Sequence, residues 1–313
     1  MVEKEINILT WNIQSTGAEP KAEKQGYRIS DKRLKGRFIL DAAIENEIDI
    51  IVFQEAYGIY LNTLLGNIYY EIKYPDNSLG SGVRIFLKAG EFDEPLEVFT
   101  GEKLGNKLVF LYLRRTNGGE IFNLAAIHLH SKVGNTERQQ LWKNNPIFNE
   151  IREIENKLAN VSFYRTIMVG DFNQNPYEND LNDRFMVNAE RDRNLIEIFK
   201  DNNPVYKTER FDFNFWYNPM WNFVGDYDTK NNDYRVTGTY FRYTEDESTM
   251  WNLIDGLIVR PYFMRRIIYD KSKIIVGTNS VSFLKTVITS KKESLIPDDI
   301  SDHLPVKFTF LIN

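Results

Sequence analysis

The sequence predicts an α+β chain in which layers of strands are covered by helices. Three observations predict it: many short apolar runs of strand-like composition, longer stretches of helical periodicity between them, and turn signals that favour antiparallel pairing. With 313 residues, 42% hydrophobic and 27% charged, and no repeat or Pro/Gly/Ser linker, one domain spanning 1–313 is the simpler reading.

The first strand reads Ile6 to Ile13, apolar on both sides, as in a buried strand. A polar stretch then leads into a helix from about Asp31 to Asn46, capped by Ser30 or Asp31, with Leu34, Phe38 and Ala42 as its stripe. Asp49 to Phe53 is a short apolar strand that ends at Gln54-Glu55. Tyr69–Tyr74, Val83–Lys88 and Lys107–Arg114 follow as strands, and Asn117-Gly118-Gly119 turns a hairpin into Ile121–Leu129. Thr136 to Leu158 is a long amphipathic helix with Pro146 as its candidate break. Arg165–Val169 is a buried strand that stops at Gly170-Asp171. A helical stretch near Leu181–Lys200 precedes an aromatic-rich insertion at about 204–250, and strands Leu253–Val259 and Val306–Leu311 close the chain.

Composition removes several functions. Thirty-nine basic against 44 acidic residues give a net charge of −5, which excludes holding nucleic acid by bulk positive charge but not by a local basic patch. The absence of cysteine excludes disulfides, thiol nucleophiles and Cys-ligated metals. No apolar run reaches the ~18 residues of a membrane span, and the strand-like start leaves no room for a signal peptide. A soluble cytoplasmic protein is expected, with no membrane and no protein partner to infer.

Residues of metal- or phosphate-binding type recur where apolar strands end: Asn12, Glu55, His128, Asp171 with Asn173, Asp255, and Asp302 with His303. Rigid strand ends are good places to present such groups. All three histidines (His128, His130, His303) fall in or beside these segments. Each has a plain structural alternative. Gly170-Asp171-Phe172-Asn173 is also good turn chemistry, and Ser301 to Pro305 could be only a loop entering the last strand. Asp255, inside the run Leu253 to Ile258, asks for a partner, because an unpaired buried carboxylate is costly. Of His128 and His130, only one is expected to reach a given site, and His130 is assigned to surface or core.

Thr10-Trp11-Asn12-Ile13, Phe53-Gln54-Glu55, Ile127-His128-Leu129, Val169-Gly170-Asp171-Phe172-Asn173, Ile254-Asp255-Gly256-Leu257 and Ser301-Asp302-His303-Leu304-Pro305-Val306 occur in this order over nearly the whole chain. Together they resemble the endonuclease/exonuclease/phosphatase superfamily, the deoxyribonuclease-like proteins. The resemblance implies a four-layer α/β/β/α sandwich: two mostly antiparallel sheets face to face, with helices outside and the site at one end. It implies hydrolysis of phosphodiesters, with Mg²⁺ (or Mn²⁺) held by Glu55, Asn12 and Asp302. It implies Asp171 as acceptor of a proton from water, Asn173 as its orienter, His303 and His128 as donors to the phosphate, and Asp255 as the partner of His303.

Two features bear on substrate. Lys21 to Arg37 carries seven basic residues, Arg28, Arg33 and Arg37 among them, against Glu23 and Asp31, a stretch that could grip phosphates or be a solvated face. Phe211 to Trp251 holds 13 aromatic residues in 41, including Trp216 and Trp221, which could stack bases or simply pack. The expected substrate is nucleic acid, DNA or RNA. A lipid head group or small phosphoester is the alternative.

Overall fold

The computed structural model describes residues 3–15, 32–56, 61–74, 82–101, 104, 107–132, 134–158, 164–183, 186–200, 205–207, 212–224, 236, 238–241, 251–284 and 301–313. In chain order its strands begin with β1 (Lys4–Ser15), β2 (Ile50–Ala56), β3 (Tyr69–Glu71), β4 (Val83–Lys88), β5 (Glu97–Thr100), β6 (Leu108–Arg114), β7 (Ile121–His128) and β8 (Thr166–Asp171). There follow β9 (Ala189–Glu190), β10 (Val205–Lys207), β11 (Asp212–Asn214), β12 (Trp216–Tyr217), β13 (Tyr240–Phe241), β14 (Trp251–Asn252), β15 (Asp255–Val259), β16 (Lys273–Ile274) and β17 (Val306–Ile312). The helices are α1 (Lys32–Glu45), α2 (Leu61–Leu65), α3 (Glu137–Lys157), α4 (Asn179–Asn182), α5 (Arg193–Lys200) and α6 (Pro261–Met264).

Two sheets dominate. One has six strands in the order β16-β17-β1-β2-β4-β3, and the other seven in the order β5-β6-β7-β8-β15-β12-β9. Both are mixed: β1–β2, β7–β8 and β12–β9 run parallel and the other pairs antiparallel.

The alternation of side chains along each strand decides the layers. Ile6 and Ile8 of β1, Ile50 and Val52 of β2, and Val306, Phe308 and Phe310 of β17 meet Leu124 and Ala126 of β7, Ile167 and Val169 of β8, and Leu257 and Val259 of β15 between the sheets. The opposite faces are covered from outside. Leu9, Trp11 and Phe53 pack against Ile39, Ala42 and Ala43 of α1. Phe110, Ala125, Ile127 and Met168 pack against Ile147, Phe148, Ile151 and Ile154 of α3. Helix, sheet, sheet, helix is the arrangement that buries every apolar face.

Three expectations need correction. α3 passes through Pro146 without a break. The donor that Pro146 lacks would have bonded the Trp142 carbonyl, and both residues lie on the exposed side, where water can serve it. The helix is held instead by its apolar stripe and by a Thr136/Gln139 capping box. The helical stretch near Leu181–Lys200 is in fact two short helices separated by β9, because Ala189 and Glu190 pair with Trp216 and Tyr217. Leu253 and Ile254 precede rather than open the strand at Asp255. The α1 cap residues Ser30 and Asp31 and the side chain of Leu34 lie outside the described residues, as does most of the 204–250 insertion.

Candidate active site

Register builds the site. β7 and β8 are parallel with His128 opposite Asp171, and β8 and β15 are antiparallel with Asp171 opposite Asp255. The three side chains therefore form one row across three neighbouring strands. Each is in phase with the inward-facing residues of its strand, as Asn12 is with Ile6 and Ile8 of β1. The row is the polar end of the core between the sheets.

Glu55 is out of phase with that core, and backbone distortion re-aims it. The β1–β2 register shifts between Asn12 and Ser15, and Gln14 (φ 42), Glu55 (φ 51) and Asn173 (φ 51) adopt the left-handed conformation that residues other than glycine avoid. Gly170 (φ 151) is required at its place: a Cβ there would lie 1.9 Å from the Ile127 carbonyl oxygen.

Asn12 ties the two sheets together. Its Nδ2 donates to Asp171 Oδ2 at 3.0 Å and to Glu55 Oε1 at 3.3 Å, while its Oδ1 accepts from the Gln14 amide at 3.0 Å. This orientation aims the amide nitrogen, not the oxygen, at the carboxylates, so Asn12 acts as a bridge. His128 Nε2 lies 3.6 Å from Glu55 Oε1 and 3.8 Å from Asp171 Oδ2. His303 Nδ1 meets Asp255 Oδ2 at 2.7 Å, and its Nε2 is 3.7 Å from Asp302 Oδ1. The Asn173 amide donates to Asp171 Oδ1 at 2.8 Å, and its Nδ2 to the Leu129 carbonyl at 3.0 Å.

The charges do not cancel. Asp255 Oδ1 and Asp302 Oδ1 are buried with no hydrogen-bond partner among the described residues. Burial, followed by the nearby Asp255 carboxylate, pushes the Asp171 carboxyl up to about 7, against the lowering influence of His303, Asn12 and the Asn173 amide. Burial also raises Asp302. For His303 burial alone would lower the imidazole, but Asp255, Asp171 and Asp302 together outweigh it and raise it to about 10. His128 is driven well below its ordinary value by burial and by the charges of Lys107 and His303. Side by side stand a carboxylate that takes up protons near neutrality and an imidazolium that keeps its own.

No protein-family profile and no curated protein matches the chain in sequence. Solved structures do match in shape. An endonuclease/exonuclease/phosphatase family protein of Bacteroides thetaiotaomicron superposes with a TM-score of 0.58 at 14% identity, covering 100% of both chains. The chain has the endonuclease/exonuclease/phosphatase fold. Other bearers of this fold that it resembles are the catalytic domain of human Nocturnin (TM-score 0.53, 16% identity, 99% of this chain and 94% of that one) and a mannosyl-6-phosphatase of B. thetaiotaomicron (0.56, 14%, 97% and 98%).

The fold brings together Asn12, Glu55, His128, Asp171, Asn173, Asp255, Asp302 and His303. Among the described residues no hydrogen bond or ion pair joins His130 to these side chains; its amide is bonded to Asn144 Oδ1 at 3.0 Å, and its charge bears on His128 from nearby. Strand alternation is not the reason, since residues two apart share a face. β7 ends at His128, and the chain leaves the sheet there.

The substrate-binding expectations fare differently. Arg28 and the side chain of Arg33 lie outside the described residues, and Arg37 is exposed on α1 with Asp41 at 4.0 Å as its partner. Trp216 is corrected: it is 3% exposed and lies under the Arg260 guanidinium at 4.0 Å, so its ring is committed to packing. Trp221 is half-buried beside Arg191.

Sequence reasoning missed three supports. Lys107, opposite His128 across the β6–β7 hairpin, brings its Nζ to 3.5 Å from His128 Nδ1. Tyr240 lies 4.8 Å from the His303 ring. Ser301 Oγ donates to the Asn12 carbonyl at 2.6 Å and accepts from the His303 amide at 3.1 Å. Only Lys107 had a readable signal, a lysine beginning an apolar strand directly across a hairpin from a site histidine.

Proposed function

We propose that this chain is a divalent-metal-dependent phosphodiester hydrolase acting as a nuclease on DNA or RNA. One observation carries the reading: Asn12, Glu55, His128, Asp171, Asp255 and His303 meet in one acidic cluster in which Asp255 Oδ1 has no donor among the described residues.

The residues fit a hard cation. The donors are carboxylates with imidazole and no thiol, a set that suits Mg²⁺ or Mn²⁺. Glu55 and Asp302, with side chains 30% and 22% exposed, are the accessible carboxylates and would hold the ion. Asp171, Asp255 and His303 also have ligand atoms within 4.8 Å of one another, but the short Asp255–His303 bond already engages that pair. When bound, the ion would neutralise phosphate charge and ease departure of the leaving oxygen.

The side chains supply the rest. Asp171 takes the proton from the attacking water, and its raised carboxyl suits a base that works near neutral pH. The Asn173 amide holds Asp171 Oδ1, so the carboxylate cannot swing. Asp255 binds His303 Nδ1, which leaves the Nε2 proton for a phosphate oxygen and stabilises the charged ring beside a developing oxyanion. His128 offers a second donor from the wall nearest Glu55.

A second reading, hydrolysis of a sugar or lipid-head-group phosphoester, is favoured by the likeness to a mannosyl-6-phosphatase. A panel tests both: supercoiled plasmid, single-stranded DNA, RNA, sphingomyelin and a sugar phosphate, each with Mg²⁺ or Mn²⁺ and with the Asp171→Ala protein as control. The nuclease reading expects polynucleotide cleavage that chelation stops and Asp171→Ala lacks. Turnover of small phosphoesters alone would replace it with the second.

A further inference from the structure

Tyr177, Trp221 and Arg191 form an aromatic and cationic group beside the site that the hydrolytic chemistry leaves unused. The Arg191 guanidinium lies 4.6 Å over the Trp221 ring, and Tyr177 meets that ring edge-on at 6.4 Å. Both aromatic residues are anchored to the strands that carry the catalytic carboxylates. Tyr177 is on the loop that leaves Asp171 and Asn173. That loop is pinned by Asn175, whose Oδ1 accepts from the Leu253 amide at 2.7 Å and whose Nδ2 donates to Asn252 Oδ1 at 3.0 Å and Glu178 Oε1 at 2.8 Å. Glu178 is in turn paired with Lys132. Trp221 is on the 3-10 turn Pro219–Phe223, whose Met220 fills the space beside Gly256, where a Cβ would lie 2.3 Å from its sulfur. Gly256 directly follows Asp255.

An aromatic kept only for packing would be covered. Tyr177 is 48% exposed although several hydrogen bonds fix the loop that presents it. On the adjoining turn, Asn218 Nδ2 and Trp221 Nε1 are buried donors without a hydrogen-bond acceptor among the described residues. The exposed ring and the adjacent guanidinium suit a flat, anion-linked group.

We propose that Tyr177, backed by Trp221 and Arg191, is a stacking platform for an unpaired base of a single-stranded nucleic acid whose phosphate occupies the site. The proposal rests on the nuclease reading above. Tyr177 lies four positions beyond Asn173, a span of at most ~14 Å, so the stacked base belongs to a nucleotide close to the one that is cut. A base already paired in a duplex cannot offer its face, and the platform therefore selects single strands.

The test compares kcat/KM, with Mg²⁺ present, on a single-stranded oligonucleotide and on a strand of equal length and charge built from abasic tetrahydrofuran units. The wild-type protein is expected to prefer the base-bearing strand. Tyr177→Ala should lower that preference by about fivefold or more, the effect of losing one stacked base, and Tyr177→Phe should keep it. In EDTA, where no turnover occurs, the oligonucleotide should quench tryptophan emission, and Trp221→Phe should lose most of that quenching. Matched melting temperatures show that the variants fold. If the wild-type protein cuts both strands equally, or Tyr177→Ala keeps the full preference, the platform is overturned and the nuclease reading stands. If neither strand is cut while a small phosphoester is, the nuclease reading falls and takes the platform with it.

Discussion

The molecule buries charge in two different ways. Arg260 and Glu155, and Arg84 and Glu71, are buried pairs with their bonds closed. Arg260 Nε donates to Glu155 Oε1 at 2.9 Å, its Nη2 reaches Oε2, and its Nη1 donates to the Phe215 carbonyl at 3.1 Å. Arg84 grips Glu71 with bonds of 2.6 and 3.0 Å. The Asp171, Asp255 and His303 group is as deeply buried, yet it holds two carboxylates for one imidazole and leaves Asp255 Oδ1 without a donor among the described residues. The closed pairs are finished; the open cluster lacks a matching donor among the described residues. An incomplete charge balance in an otherwise well-satisfied interior marks where a ligand belongs.

Removing single members should separate the two kinds of charge. The largest effect is expected at the open cluster: Asp171→Ala, Glu55→Ala or His303→Ala should each cut hydrolysis by about a hundredfold to ten-thousandfold while the protein still melts cooperatively. Near wild-type turnover in any of them would remove that residue from the assignment. His128→Ala should fall in the same direction, and His130→Ala should barely register. At the closed pairs the damage should be to stability instead. Arg260→Ala should cost about 3–5 kcal/mol in urea denaturation, because Glu155 would be left buried and alone. Arg260→Met combined with Glu155→Leu should recover much of that loss.

Acidity offers a sharper contrast, measured without divalent ions. The His303 imidazole rises from 6.5 to about 10 on folding, so its stabilising contribution is complete below about pH 6.5 and is lost as pH climbs through about 10. The Asp171 carboxyl rises from 3.8 to about 7, so charging it disfavours the folded state and stability falls across that interval as well. Both slopes point the same way. His128, held well below its ordinary value, opposes them only below about pH 6.5, so melting temperature should decline from pH 7 to pH 10, and His303→Gln should flatten that decline. A wild-type curve that rises with pH over this range would contradict the cluster's electrostatics. The smallest effect is expected at the surface. Lys4 pairs with Glu91 and holds its carboxyl below the ordinary value, so Lys4→Ala should cost at most ~1 kcal/mol, and even that should fade as acid protonates Glu91.

Much of this site is legible in the sequence because strand ends are local. Asp171 ends the strand that begins at Thr166, and Asp255 opens the strand through Leu257 and Val259, so each carboxylate stands at the end of a strand, on the face that alternation gives it. The parts that were missed depend on contacts far apart along the chain. Tyr240 reaches His303 through an isolated antiparallel bridge, and Ser301 reaches the Asn12 carbonyl across 289 positions. The left-handed backbone that aims Glu55 leaves no mark on residue type, since glutamate has no preference for it. The split of the Leu181–Lys200 helix arises likewise from pairing with Trp216 and Tyr217, which local periodicity cannot reveal. Trp216 looked like a ligand surface because aromatic enrichment does not distinguish a stacking ring from one lying beneath a buried arginine.

The row formed by His128, Asp171 and Asp255 has a consequence for how this chain can change. Strand parity governs it: inserting or deleting a single residue between Ile167 and Asp171 would put Asp171 out of phase with Ile167 and turn it from the inner face to the side covered by α3. Length variation in these three strands is thus closed to the protein, whereas the segments joining them, outside the pinned stretch from Asn173 to Glu178, are under no such parity rule. Any diversification of what it recognises must come from those joining segments, around a frame whose spacing is fixed.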